Sequence, residues 1–259
     1  IRASAKVAAN EARGVAQVLA RGGDMNAGEM ATRLGLSGIP REAEIIMVER
    51  DLRLAELTGG QLHFAHLSTA TAIDAVRRAK ARGLGVTCDT APPYFALNEN
   101  AIGDYRTFAK LSPPLRAEED RLAVIDGLID GTIDAIASDH APEDEDAKRL
   151  PFAQASFGGI GLETLLAVAL ELHHNGRMAL IDILRLLTSG PADLLDLPAG
   201  RLAPGSRADL TLFDPERAWV VRENELHSKS KNTPFDYKPL QGRVLLTVVD
   251  GRRVFSLDA

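Results

Sequence analysis

Little in this chain points to cross-links, a membrane or a nucleic acid. Cysteine occurs once, as Cys88, which excludes an internal disulfide and any thiolate metal cluster and fits a reducing cytoplasm. No run approaches the ~18 consecutive apolar residues of a bilayer-spanning helix, so a soluble, cytoplasmic protein is expected. Positive charge is in deficit, with 30 Lys and Arg against 36 Asp and Glu and a net charge of -6. That excludes nucleic acid and anionic membrane as partners, because no basic stripe could offset the repulsion. A small anionic substrate would need locally placed Arg. Internal repeats and low-complexity tracts are also missing. Residue 1 is Ile rather than Met, and "IRASAKVAANEARG" (1–14) reads as a helix already under way, without the apolar stretch or cleavage site of a signal peptide. We therefore expect the sequence to begin mid-domain.

What is present is ordinary globular material. The 259 residues are 45% hydrophobic and 25% charged, enough for one large domain or a large plus a small one. Strand-like runs at 14–19, 61–67, 85–91 and 132–138 alternate with helical patterns at 40–59, 68–83 and 116–131, each helix closing on a Gly. Alternation of this kind predicts a parallel sheet covered by helices, either an open doubly wound sheet or a closed barrel. The four strands are about half of the eight a (β/α)8 barrel requires. Helices are also expected over 161–176 and 179–197. From Gly200 the texture changes to short alternating strands with Gly and Pro turns, and Asp250-Gly251 marks a hairpin. The expected division is 1–197 for the α/β part and 198–259 for a small β module.

Polar groups gather at three strand ends: "HFAHLST" with His63 and His66, "TCDTAPPYF", and "SDHAP" with Asp139 and His140. In parallel α/β folds ligands bind at the carboxyl ends of strands, where the loops converge. Strand alternation puts His63 and His66 on opposite faces, so only one is expected at the mouth, and His66 is favoured. His66 and Asp139 would be neighbours there. An imidazole and a carboxylate suit a divalent metal of the zinc type, though two ligands alone are an incomplete site. Cys88 reads as a small core residue, His173 and His174 as imidazoles near helix-terminal carbonyls, "EDEDAKR" (143–149) as a solvated loop, and "GGIG" (158–161) as a weak candidate seat for an anion.

The stretches "HFAHLSTATAIDAVRRAKARGLGVTCDTAPPYFAL", "KLSPPLRAEEDRLAVIDGLIDGTIDAIASDHAPE" and "GLETLLAV" together resemble the second half of a class I dihydroorotase. That family comprises zinc-dependent cyclic amidohydrolases of pyrimidine biosynthesis, and the likeness runs from residue 21 to residue 255. The resemblance implies a partial (β/α)8 barrel of the later strands, with a side module completed by an N-terminus upstream of Ile1. It implies one or two zinc ions, with His66 as the last histidine ligand and Asp139 as both ligand and catalytic proton acceptor and donor. Ser112 in "LSPPLR", the backbone around Gly158 and the position of Glu143 fall where the family holds its small anionic substrate. A homodimer is implied as well.

Some positions depart from the family pattern. Ser112 stands where many relatives carry Asn. Glu143 stands where the family has a substrate-holding His, and an acid there repels an anion unless it turns away. After Gln17 the family continues into a further His ligand, whereas here "VAQ" runs into "VLARGGDMN", so residues are expected to be absent from this sequence at that join. These departures keep two other readings open: a non-catalytic dihydroorotase-like subunit that partners aspartate transcarbamoylase, and another cyclic amidohydrolase of hydantoinase or allantoinase type.

Overall fold

A computed structural model describes residues 5–7 and 22–257. The chain is α/β. Its principal sheet is parallel and open among the described residues, with strand order β1-β4-β5-β6. These strands are β1 (Ala5–Val7), β4 (Leu62–Phe64), β5 (Val86–Thr90) and β6 (Ala135–Ile136). Leu62 pairs with Ala5 on one side and Val86 on the other, and Asp89 pairs with Ala135. A second, two-residue parallel ladder joins β2 (Met25–Asn26) to β3 (Gly38–Ile39). The expected helix over 1–14 is thus corrected at residues 5–7, where pairing to β4 overrides the helical preference of an Ala-rich segment. The expected strand at 14–19 and the join after Gln17 lie outside the described residues.

Between β1 and β4 lie α1 (Glu29–Leu34) and α2 (Glu42–Thr58), and α3 (Ala70–Ala81) returns the chain from β4 to β5. Helix α3 starts where Thr69 adopts an extended backbone and accepts from the Ala72 N–H at 3.4 Å, an N-cap that satisfies one orphan donor. Its buried stripe of Ala72, Ile73, Ala75, Val76 and Ala79 follows the i, i+3, i+4, i+7 spacing and fixes which side meets the sheet. Burying Ile73 and Val76 alone is worth about 1.5–3 kcal/mol each. Between β5 and β6 the chain forms a single turn, α4 (Pro92–Ala96), and then α5 (Glu118–Ile129). Cys88 is wholly buried, its thiol donates to the Thr132 carbonyl at 3.3 Å, and burial pushes its pKa far above the ordinary thiol value, so it is a core residue.

The chain divides into two compact units, one comprising the described residues up to Leu162 with Ser228–Pro234, the other Glu163–His227 with the residues from Phe235 onward. The first unit also holds α6 (Glu145–Arg149), and the second carries α7 (Leu165–His174), α8 (Leu180–Leu187) and α9 (Ser189–Leu194). The expected single helix over 179–197 is two, because the backbone leaves the helical region at Thr188 (φ -129°, ψ -84°) just before Gly190 and Pro191. An antiparallel meander follows: β7 (Leu210–Val220), β8 (Pro239–Val249) and β9 (Arg252–Ser256). Its last turn places Asp250 at φ 51° and Gly251 at φ 76°, the left-handed pair that a tight hairpin needs. No helix among the described residues is long and apolar enough to cross a membrane.

Candidate active site

The site grows from three strand ends of the first unit. Strand β4 stops at Phe64, and two residues on, His66 takes a left-handed backbone with φ 59°. Past β6, Asp139 does the same with φ 45°. Each such conformation costs an L-residue about 1–2 kcal/mol, and non-glycine residues held this way concentrate at functional sites. The two side chains converge, with His66 Nε2 standing 3.5 Å from Asp139 Oδ1. That separation is long for a hydrogen bond. It matches the spacing of about 3.4 Å between two donors that share one tetrahedral zinc at about 2.1 Å.

Behind His66 lies Asp89, in the interior of β5 and 8% exposed. Its Oδ1 accepts the His66 backbone N–H at 2.7 Å and stands 3.0 Å from His66 Nδ1. The His66 Nδ1 contact lies off the line of a good hydrogen bond, and that buried nitrogen has no other partner. Asp89 Oδ2 lies 2.9 Å from His63 Nε2, and His63 Nδ1 lies 2.8 Å from Thr87 Oγ1. A carboxylate only accepts, so His63 donates to Asp89 from Nε2. Strand β4 ends before His66, whose left-handed turn brings it to Asp89 beside His63, while of these two histidines His66 is the one that approaches Asp139. Burial alone would raise the Asp89 pKa, but the hydrogen bond from His63, the nearby His66 ring and the His66 backbone N–H outweigh it and hold it at about 2. At His66 burial opposes the charged ring, yet the contact with Asp89 and the charges of Asp139 and Asp89 outweigh it and raise the pKa.

On the far side of the pair, Tyr94 of α4 points its hydroxyl at Asp139 Oδ2, 3.0 Å away. Burial first, and then the neighbouring Asp139 carboxylate, push the Tyr94 pKa well above that of a free phenol, so it acts only as a hydroxyl. His140 parts from its neighbour: its Nδ1 accepts the Gly161 N–H at 3.2 Å. Among the described residues no group of three or more His, Cys, Asp or Glu is arranged to hold a metal ion. His66 and Asp139 form a pair that could contribute to one.

The amidohydrolase family model matches residues 29–254. The chain belongs to the amidohydrolase family. It is 50% identical over 241 residues to a protein named dihydroorotase from Anaplasma phagocytophilum (strain HZ), covering 93% of this chain and 54% of that one. It is also 50% identical over 240 residues to a dihydroorotase from Desulforapulum autotrophicum, with 93% and 56% covered. Among solved structures, L-hydantoinase (dihydropyrimidinase) from Arthrobacter aurescens superposes with a TM-score of 0.82 at 27% identity, covering 95% of this chain and 55% of that one. Dihydropyrimidinase from Brevibacillus agri NCHU1002 gives 0.81 at 24%, with the same coverage, a likeness of fold. The chain spans about half the length of the curated relatives it matches.

Within this amidohydrolase chain the remaining residues singled out from sequence fall around the loop after β6. Ser112 precedes Pro113, whose carbonyl lies 3.2 Å from the Tyr94 hydroxyl. Gly158 has its N–H on the Lys110 carbonyl at 3.0 Å and its own carbonyl accepts from Asn232 Nδ2 at 3.0 Å. With the Ile160 N–H on the Asn232 carbonyl and the Gly161 N–H on His140, these three amides of "GGIG" are held by acceptors within the protein. A Cβ on Gly161 would stand 2.1 Å from the Ser138 carbonyl oxygen, so only glycine lets this loop lie against the chain that presents Asp139.

The acidic loop 143–149 is likewise not merely solvated. It forms α6, and Lys148 turns inward to 3% exposure, donating to the Ser156 carbonyl at 2.8 Å. Burial lowers its pKa to about 8, against the charge of Glu143, which raises it, and with that of Lys110, which lowers it. The folded value is below the unfolded value of about 10.4, so between these two the unfolded chain binds more protons and stability rises with pH. Lys148→Met is expected to flatten that rise by about 2 kcal/mol. Urea titrations near roughly pH 8 and pH 10 test this, and an unchanged slope would show that Lys148 is not responsible.

Proposed function

We propose that this chain is the later half of a dihydroorotase, catalysing the reversible hydrolysis of dihydroorotate to N-carbamoyl-L-aspartate. The observation that carries the reading is the approach of His66 Nε2 to Asp139 Oδ1 at 3.5 Å, from strand ends 73 residues apart. Identity near 50% to proteins named dihydroorotase supports this chemistry over that of the hydantoinases, which share the fold at 24–27% identity. The parallel strands fit the later part of a (β/α)8 barrel whose mouth carries both residues, with 198–259 as its side module. His66 and Asp139 are the chain's donors toward zinc, and the buried Nδ1 of His66 faces a carboxylate, as is usual for imidazoles that bind metal through the other nitrogen. Zinc held there would supply Lewis acidity and acidify water near neutral pH.

The chain's own residues would do the rest. Asp139 accepts a proton from the attacking water at Oδ1 and returns it to the departing ring nitrogen; in the cyclisation direction it runs the same two transfers in reverse. Asp89 holds His66 by its backbone and its ring. Ser112 and the backbone near Gly158 belong to the substrate-facing loops, and Glu143 lies close enough to Lys148 for the two charges to offset each other. A homodimer and a cytoplasmic location belong to the same reading, whereas an inactive relative would serve as a partner of aspartate transcarbamoylase. Metal analysis of the full-length protein, together with N-carbamoyl-aspartate cyclisation at mildly acid pH, is the test. Stoichiometric zinc with turnover is expected; protein without bound metal or turnover sinks the enzyme reading.

A further inference from the structure

We propose that Tyr94 is a positioning residue for Asp139: its buried hydroxyl donates to Oδ2 and thereby keeps Oδ1 as the oxygen that faces His66. The proposal rests on the reading of Asp139 as the proton carrier and goes beyond it by naming what orients that carboxylate.

The two oxygens of a carboxylate are chemically equivalent and exchange by rotation about the Cβ–Cγ bond. A donor that occupies one of them breaks the equivalence. Tyr94 is suited to that task by its rigidity. It is 3% exposed, and it sits in a single helical turn that opens with Pro92 and Pro93, with its N–H on the Ala91 carbonyl at 3.0 Å. Its oxygen lies between two acceptors, Asp139 Oδ2 at 3.0 Å and the Pro113 carbonyl at 3.2 Å. A phenol has one proton, and the nearer, charged acceptor takes it. The Pro113 carbonyl bounds the hydroxyl from the other side. Asp89 shows the same device across the imidazole, since the His66 backbone N–H takes its Oδ1 and His63 takes its Oδ2. His66 therefore stands between two carboxylates, each with an oxygen tied down away from the ring's reactive nitrogen.

The test uses the full-length protein loaded with cobalt(II), comparing wild type, Tyr94→Phe and Phe95→Leu. Phe95 is buried on the same turn, at 2% exposure, so its variant loosens the packing and retains the hydroxyl. Tyr94→Phe is expected to bind cobalt with shifted visible bands, and its kcat to fall about 10–100-fold with KM within about twofold. Phe95→Leu is expected to lower Tm while leaving bands and kcat near wild type. Unchanged bands and kcat in Tyr94→Phe overturn the proposal, as does an equal shift in Phe95→Leu, which would mean that packing alone matters. A wild-type protein that neither binds cobalt nor turns over overturns the dihydroorotase reading itself, and this proposal with it.

Discussion

Asp139→Asn is expected to leave the fold intact and lower turnover by about 10²–10⁴-fold, the range over which a positioned acid or base acts. The amide has nearly the shape of the acid, so its carbonyl can accept the Tyr94 hydroxyl that now lies 3.0 Å from Oδ2. The amide nitrogen would then face His66 Nε2, where the carboxylate oxygen stands at 3.5 Å. Two things are lost. An amide is too weak a base to take up a proton from water, and it is a poor ligand for a divalent cation. Metal content, near-UV circular dichroism and turnover in both directions separate these. An intact spectrum with bound metal and no turnover isolates the proton-transfer role, whereas full activity in the variant would refute it.

The pair His66 and Asp139 was legible because each follows an apolar strand directly, and a polar side chain at that place has few structural reasons to be there. Asp89 was harder to see. It lies inside "VTCDT" rather than past its end, and a period-two reading assigns it only a face. The available signal was energetic: a carboxylate buried within a strand demands partners, and β4, one of the two strands beside β5, offers His63 and, just beyond its end, His66. Tyr94 gave no signal at all, since an aromatic in "PPYF" reads as core, and it is core except for the hydroxyl. The α/β alternation was visible from spacing alone. Element ends were less so, because Thr188 and residues 5–7 depend on tertiary context that periodicity does not encode. The inward turn of Lys148 escaped for a similar reason, being set by carbonyls of a loop that no local pattern announces.

Glu44→Ala is expected to destabilise the first unit by about 3–5 kcal/mol, the cost of leaving a buried charge without its counter-ion. Glu44, on α2, is 6% exposed and Arg116 is 4% exposed, with 3.5 Å between Nη2 and Oε2. The carboxylate also accepts the Ser68 N–H at 3.0 Å, the Thr69 N–H at 2.9 Å and the Thr69 hydroxyl at 2.8 Å. It thus serves the orphan donors at the start of α3, where negative charge is favoured by the helix dipole. Arg116 closes the cluster by donating to Ser68 Oγ at 3.1 Å and Asn26 Oδ1 at 3.1 Å. Because Ser68 follows His66 by two residues, this cluster holds the turn on which the left-handed His66 depends. Glu44→Gln retains an acceptor and loses the charge, so it should fall between wild type and Ala. Urea denaturation midpoints measure both. A loss below about 1 kcal/mol for Glu44→Ala would place the pair among weakly contributing ion pairs and remove the argument that the strain at His66 is offset by the network beneath it.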